Sequence, residues 1–149
     1  MTRARAALVA VALAAVTLAA ALASAARAES SPPPADRQAI LDAVRARAPG
    51  ERALPRRLRV RHLSARGGWA YLRAGEQVRV QGEWQETDGD VAALLRRAPL
   101  ERPAWAVVEL WTLGDEHRRP FAAFARRVRA RERSESIPAG VLPADLLAP

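Results

Sequence analysis

Residues 60–74 read VRHLSARGGWAYLRA. Two short runs of alternating polar and apolar residues flank a Gly-Gly pair, with His62 before it and Trp69 directly after. Alternation with a period of two marks a half-buried strand. A glycine pair between two such runs supplies the positive φ that a tight hairpin turn requires. The spacing predicts strands over 58–64 and 69–74 joined by a loop at Ala65–Gly68. In that register Ser64 faces Trp69, His62 faces Tyr71 and Val60 faces Arg73. Leu58, Val60, His62, Trp69 and Tyr71 then line one side, while Arg59 and Arg61 point to the other with Leu63, Ala70 and Leu72.

Upstream of the hairpin, DRQAILDAVRARA at 36–48 has Ile40, Leu41, Val44 and Ala48 on one stripe, the spacing of an amphipathic helix. Asp36 is the expected N-cap, and Pro49-Gly50 stops the helix. Before it, ESSPPPADR at 29–37 is rich in proline, so residues 29–35 read as an extended linker.

The first 28 residues have the form of a secretory signal peptide. Arg3 and Arg5 make a basic start, residues 6–23 are nearly all Ala, Val and Leu, and ARA at 26–28 offers a small-x-small cleavage site. Cleavage after Ala28 leaves a mature chain of 121 residues, one domain in size, over 36–149. No cysteine is available for a disulfide or a lipid anchor, so packing alone must stabilise the fold. The expected location is the periplasm or the outside of the cell, with no membrane span left after cleavage.

Downstream, residues 76–90 hold five acids and one arginine. Val78 and Val80 suit a short edge strand, and ETDGD at 86–90 reads as a turn. VAALLRR at 91–97 has helix-forming residue types but the length and flanking turns of a strand, and strand is the reading taken. WAVVELWTL at 105–113 is apolar on both faces. In simple alternation Trp105, Val107, Glu109, Trp111 and Leu113 share one face, and such a strand is normally central. A helix is expected at about 119–132, with Pro120 in its first turn. IPAGVLPADLLAP at 137–149, broken by prolines, is expected to lie extended on the body. The fold class is therefore α+β: the first helix on a four- or five-stranded antiparallel meander, with a basic C-terminal helix and a tail.

The series formed by the first helix, HLSARGGWAYL, VAALLRR, WAVVELWTLG and IPAGVLP resembles a group of small exported bacterial proteins of unassigned function. Its most specific pieces are Gly67-Gly68-Trp69-Ala70 and the pairing of Leu94-Leu95-Arg96-Arg97 with Trp105. The arrangement is also similar in architecture to cystatin-like and NTF2-like folds, in which a helix crosses a curved antiparallel sheet. Neither resemblance implies an activity, because such folds host unrelated functions.

All 24 basic residues are arginine. The mature chain has 21 arginines against 16 acids, a net +5, and residues 118–133 alone carry seven arginines and one glutamate. In that segment Phe121, Phe124, Ala125 and Val128 form an apolar stripe, and Arg126, Arg127, Arg129 and Arg133 lie largely off it. A basic amphipathic helix of this kind suits an anionic envelope surface or an acidic protein. Nucleic acid is a poor fit, because no aromatic is interleaved with the arginines on an exposed face. The competing reading is an ordinary docked helix with solvated arginines.

A second candidate site is His62 with Tyr71 and Glu109, a base, a phenol and a carboxylate on one sheet face, for a small enzyme or ligand-binding domain. The plainer reading is a cross-strand pair, with Glu109 neutralised by an arginine such as Arg73 or Arg96. Two histidines in separate elements and no cysteine cannot supply a metal site, and Asp115, Glu116 and His117 are contiguous rather than convergent. No phosphate-binding glycine loop or nucleophile elbow occurs, and no cofactor is expected. The expected role is a non-enzymatic exported protein that binds through its arginines.

Overall fold

A computed structural model describes residues 31–48, 56–98, 104–113 and 120–147. The signal segment, the contiguous acids at 115–116 and His117 lie outside the described residues. The chain is α+β: helix α1 (Pro34–Arg47), strands β1 (Arg56–Arg66), β2 (Trp69–Val80), β3 (Glu83–Arg97) and β4 (Trp105–Thr112), helix α2 (Phe121–Glu135) and a single helical turn, α3 (Ala144–Leu147). The strands form one antiparallel sheet in chain order. Among the described residues no helix is long and apolar enough to cross a membrane.

β2 and β3 decide the architecture. Trp69, Ala70, Tyr71, Leu72 and Ala74 are buried, and so is the whole run Val91–Leu95. Side chains alternate across a strand, so these runs present apolar surface on both sides of the sheet. Ile40, Leu41, Ala43 and Val44 of α1 cover Ala70, Leu72, Ala74, Val91, Ala93 and Leu95. Phe124, Ala125 and Val128 of α2, with Ile137, Val141, Leu142 and Leu146 of the tail, cover Trp69, Tyr71, Ala92 and Leu94. The result is three layers, with the sheet between α1 and the C-terminal segment.

The opening hairpin forms, with a tighter turn than its spacing predicts. Gly67 and Gly68 alone make it, at φ +57° and +79°, the positive pair of a two-residue hairpin turn. Ser64 therefore pairs with Tyr71 and His62 with Arg73. A bulge at Arg61 separates the Val60–Ala74 pair from the His62–Arg73 pair. One extra residue inverts the alternation. Leu58 and Val60 thereby join the α1 side with Leu63, not the side of His62.

The ETDGD segment is not a turn but a bulge inside β3. Gly75 pairs with Asp90 and Gln77 with Glu86, so Thr87, Asp88 and Gly89 together oppose Glu76. Thr87 stabilises the excursion: its hydroxyl donates to the Glu76 carbonyl (3.2 Å) and accepts from the Gly89 N–H (3.1 Å). The true turn is Gln81–Gly82, both at positive φ. The 91–97 segment is strand, as read. β4 is an edge strand rather than a central one, and it is apolar on both faces because helices lie on both sides of the sheet. A bulge at Val108 lets Leu94 oppose Glu109 and Leu95 oppose Val107. Glu109 and Trp111 thus turn toward α2, away from Trp105.

α1 starts at Pro34, two residues before the expected start, with Pro33 as N-cap. Proline suits a first turn because its missing N–H has no helical partner there. Asp36 sits inside that turn and caps nothing. It accepts from Arg97 Nη2 (3.2 Å) and Trp105 Nε1 (3.4 Å), tying the helix to β3 and β4. The tail folds back instead of running extended. Ser64 Oγ donates to the Val141 carbonyl, and Leu146 is buried.

Gly67 is under two constraints. Besides its left-handed φ, a Cβ there would come within 2.7 Å of Pro138 Cγ, whereas at Gly68 the nearest atom would be 3.8 Å away. Left-handed backbone costs an L-residue about 1–2 kcal/mol. Gly67→Ala is expected to lose more than that, because Pro138 must also move, and Gly68→Ala to lose only the backbone part. Thermal unfolding of the two variants checks the order; equal losses would mean that the tail does not press on the turn.

Candidate functional site

The two predicted sites are rearranged by the fold. His62 and Tyr71 do meet: their rings lie edge to face at 5.7 Å between centroids. Glu109 is not with them. Tyr71 pairs with Leu94 and Leu94 with Glu109, which sets the carboxylate two strands from Tyr71, about 10 Å at ordinary strand spacing. A phenol, an imidazole and a carboxylate therefore share a sheet face without converging.

Each group also has its own electrostatic setting. His62 Nε2 is buried and has no hydrogen-bond partner among the described residues. Burial lowers its pKa from the ordinary value of 6.5; Asp145 opposes the change and Arg73 adds to it. The Tyr71 phenol is pushed up to about 12, mainly by burial, with Arg73 opposing and Asp145 reinforcing. A phenol so hard to ionise is a poor general base at neutral pH. Both groups lie under the tail, where Arg73 Nη1 meets Asp145 Oδ2 at 3.5 Å.

Glu109 is the centre of a different cluster. Its two oxygens accept from Arg127 Nε and Arg131 Nε, each at 2.8 Å. Burial alone would raise its pKa, but the two guanidiniums outweigh burial and hold it below the usual carboxylate value. Arg131 also reaches Glu135, and these partners raise its own pKa. The expectation of an arginine partner for Glu109 holds in kind, but the partners come from α2 rather than from Arg73 or Arg96. The bulge at Val108, invisible in a simple alternation, is what aims Glu109 at that helix.

The four arginines expected to form a solvated patch therefore divide. Arg127 is bound to Glu109. Arg129 Nη1 donates to the Leu146 carbonyl at 3.3 Å, fastening the tail. Arg126 and Arg133 are exposed and make no ion pair among the described residues. They are seven residues apart, close to two helical turns, and so stand on one line along α2. Phe124, Ala125 and Val128 are buried, and Phe121 packs edge-on against Trp111 at 4.9 Å, so the apolar stripe faces the body.

Among the described residues no group of three His, Cys, Asp or Glu side chains is placed to hold a metal ion. The chain matches no family model, no curated protein and no solved structure.

The half-buried His62 makes stability depend on pH with a definite sign. Its proton is bound less readily in the folded chain than in the unfolded one. Stability from this group is therefore complete above about pH 6.5 and falls as the pH drops below that value, until the folded form also protonates. Between pH 7 and 5 the wild type is expected to lose more melting temperature than His62→Phe, which cannot titrate. The Glu109 contribution is lost in a separate window below pH 4.5, as the pH falls through its lowered folded pKa. Parallel curves for wild type and His62→Phe between pH 7 and 5 would rule out a His62 whose pKa is lowered by folding.

Proposed function

We propose that the chain is an exported, non-enzymatic binding protein whose α2 arginines engage an anionic envelope component or an acidic partner. The observation that carries this reading is the pair Arg126 and Arg133, exposed and without ion pairs among the described residues, on one line of a helix whose apolar side is buried. Most acids are already taken: eight of the eleven acids among the described residues are in salt bridges. Arg37, Arg47, Arg66 and Arg79 are also exposed and outside these ion pairs, but they are spread over α1, β1 and β2, whereas Arg126 and Arg133 stand on one line of one helix. A long-stemmed guanidinium with five donors suits phosphate and carboxylate groups. Export is supported by the basic, alanine-rich first 28 residues with their small-x-small ending.

The alternative, an enzyme or ligand-binding domain built on His62, Tyr71 and Glu109, lacks a common centre. Glu109 is held by two arginines, and Tyr71 is 1% exposed.

Binding to vesicles of phosphatidylglycerol and phosphatidylcholine tests the proposal. Wild type is expected to bind at 0.1 M salt and to release by 1 M, as the Debye length contracts from about 10 Å to about 3 Å. Arg126→Gln with Arg133→Gln should weaken binding several-fold at unchanged melting temperature, because exposed unpaired arginines contribute little to stability. Phe124→Ala should instead lose about 3–5 kcal/mol of stability, the cost of emptying a core aromatic site. Equal vesicle and acidic-peptide binding by wild type and the double glutamine variant would remove the basis of the reading.

A further inference from the structure

The C-terminal tail is a strap laid across β1 and β2 on the α2 side of the sheet. Ser64 Oγ donates to the Val141 carbonyl, and Val141, Leu142 and Leu146 pack in one cluster with Tyr71. Toward its end Asp145 Oδ2 meets Arg73 Nη1 at 3.5 Å, and Arg129 of α2 donates to the Leu146 carbonyl at 3.3 Å. These end fastenings are long, and α3 is a single turn of four residues. Release of the strap breaks no rung of the sheet.

His62 sits between the two points where the strap is fastened. It pairs with Arg73 in the ladder and stands two residues from Ser64 on the same face. Its ring meets Tyr71, and Nε2 is buried with no partner among the described residues. In the neutral ring with its proton on Nδ1, Nε2 is a lone pair, which costs less to bury than a charged N–H. Protonation places an N–H donor there with no acceptor and adds a charge. The neighbours decide which way this acts. Arg73 of β2 repels the new charge and Asp145 of α3 attracts it. The Asp145 side chain is 69% exposed and already meets Arg73, so solvent screens its attraction. Along β1, Arg61 is neutralised by Asp90 of β3 at 2.8 Å, and the Tyr71 phenol stays protonated. Burial therefore prevails over Asp145, and an imidazolium is better hydrated with the strap off.

We infer that residues 137–147 form an acid-released strap: protonation of His62 favours a state in which the strap has left β1 and β2, and that state bares Tyr71 and Trp69. The opening is confined to one end of the chain and leaves the sheet and α1 in place, which separates it from a general loss of stability at low pH. It does not depend on the binding role proposed for Arg126 and Arg133.

Hydrogen exchange of the full chain, followed by NMR at pH 7 and pH 5 and divided by the intrinsic amide rates, tests this inference. The reporters are the Val141 and Leu146 amides, which donate to the Pro138 and Pro143 carbonyls at 3.3 and 3.1 Å; Leu72 in β2 reports global opening. In wild type the tail amides are expected to be less protected than Leu72 at both pH values. Their protection should fall several-fold from pH 7 to pH 5, with about tenfold per pH unit as the ceiling for one titrating group. His62→Phe should hold tail protection constant over that range, and Asp145→Asn should steepen the fall because the opposing carboxylate is gone. Should His62→Phe fail to fold, His62→Gln takes its place. Tail protection equal to that of Leu72, tail protection that ignores pH in wild type, or the same fall in wild type and in the variant without His62 would each overturn the inference.

Discussion

A four-stranded sheet whose two central strands are apolar on both sides has two faces to remove from water. Everything else in this chain follows from that constraint. Trp69 and Tyr71 point one way while Ala70 and Leu72 point the other, and all four are buried. α1 alone closes one face, and α2 with the tail closes the second. Each large apolar side chain so buried contributes about 1.5–3 kcal/mol. For a chain without cysteine, in which packing must supply the stability, leaving either face open would be costly.

Closing the second face brings charge with it. α2 carries five arginines, and its buried side meets the sheet beside Glu109. A lone carboxylate there would be expensive. Two guanidiniums with fixed planar forks satisfy both of its oxygens, a task for which arginine suits better than lysine. Arg129 holds the Leu146 carbonyl, Arg73 meets Asp145, and Ser64 bonds the Val141 carbonyl. Polar contacts along the rim therefore clamp the helix and the tail, while Phe124 and Val128 supply the burial. Arg126 and Arg133 are what remains of the basic helix for an external partner.

The fold class was legible because its signals are long: the α1 stripe, the glycine pair with its flanking strands, and the apolar run at 105–113. Misreadings fell where a single residue changes the phase. Bulges at Arg61, at Thr87–Gly89 and at Val108 each invert or displace the alternation, and a bulge has no strong residue signature. Asp88-Gly89 looks like a turn, while the actual turn places Gln81 at positive φ, where glycine or asparagine would have announced it. The candidate site suffered most, since one inserted residue decides which helix Glu109 meets.

The central claim is that α2 is part of the same cooperative core as the sheet and not an appended basic helix. Native-state hydrogen exchange measures this most directly. If the claim is right, the amides of Phe124–Val128 exchange only through global unfolding, with the same protection free energy as Tyr71 and Leu72 in β2. If α2 amides exchange through a separate opening several kcal/mol below that of β2, the helix is not needed to close the sheet, and the account is contradicted.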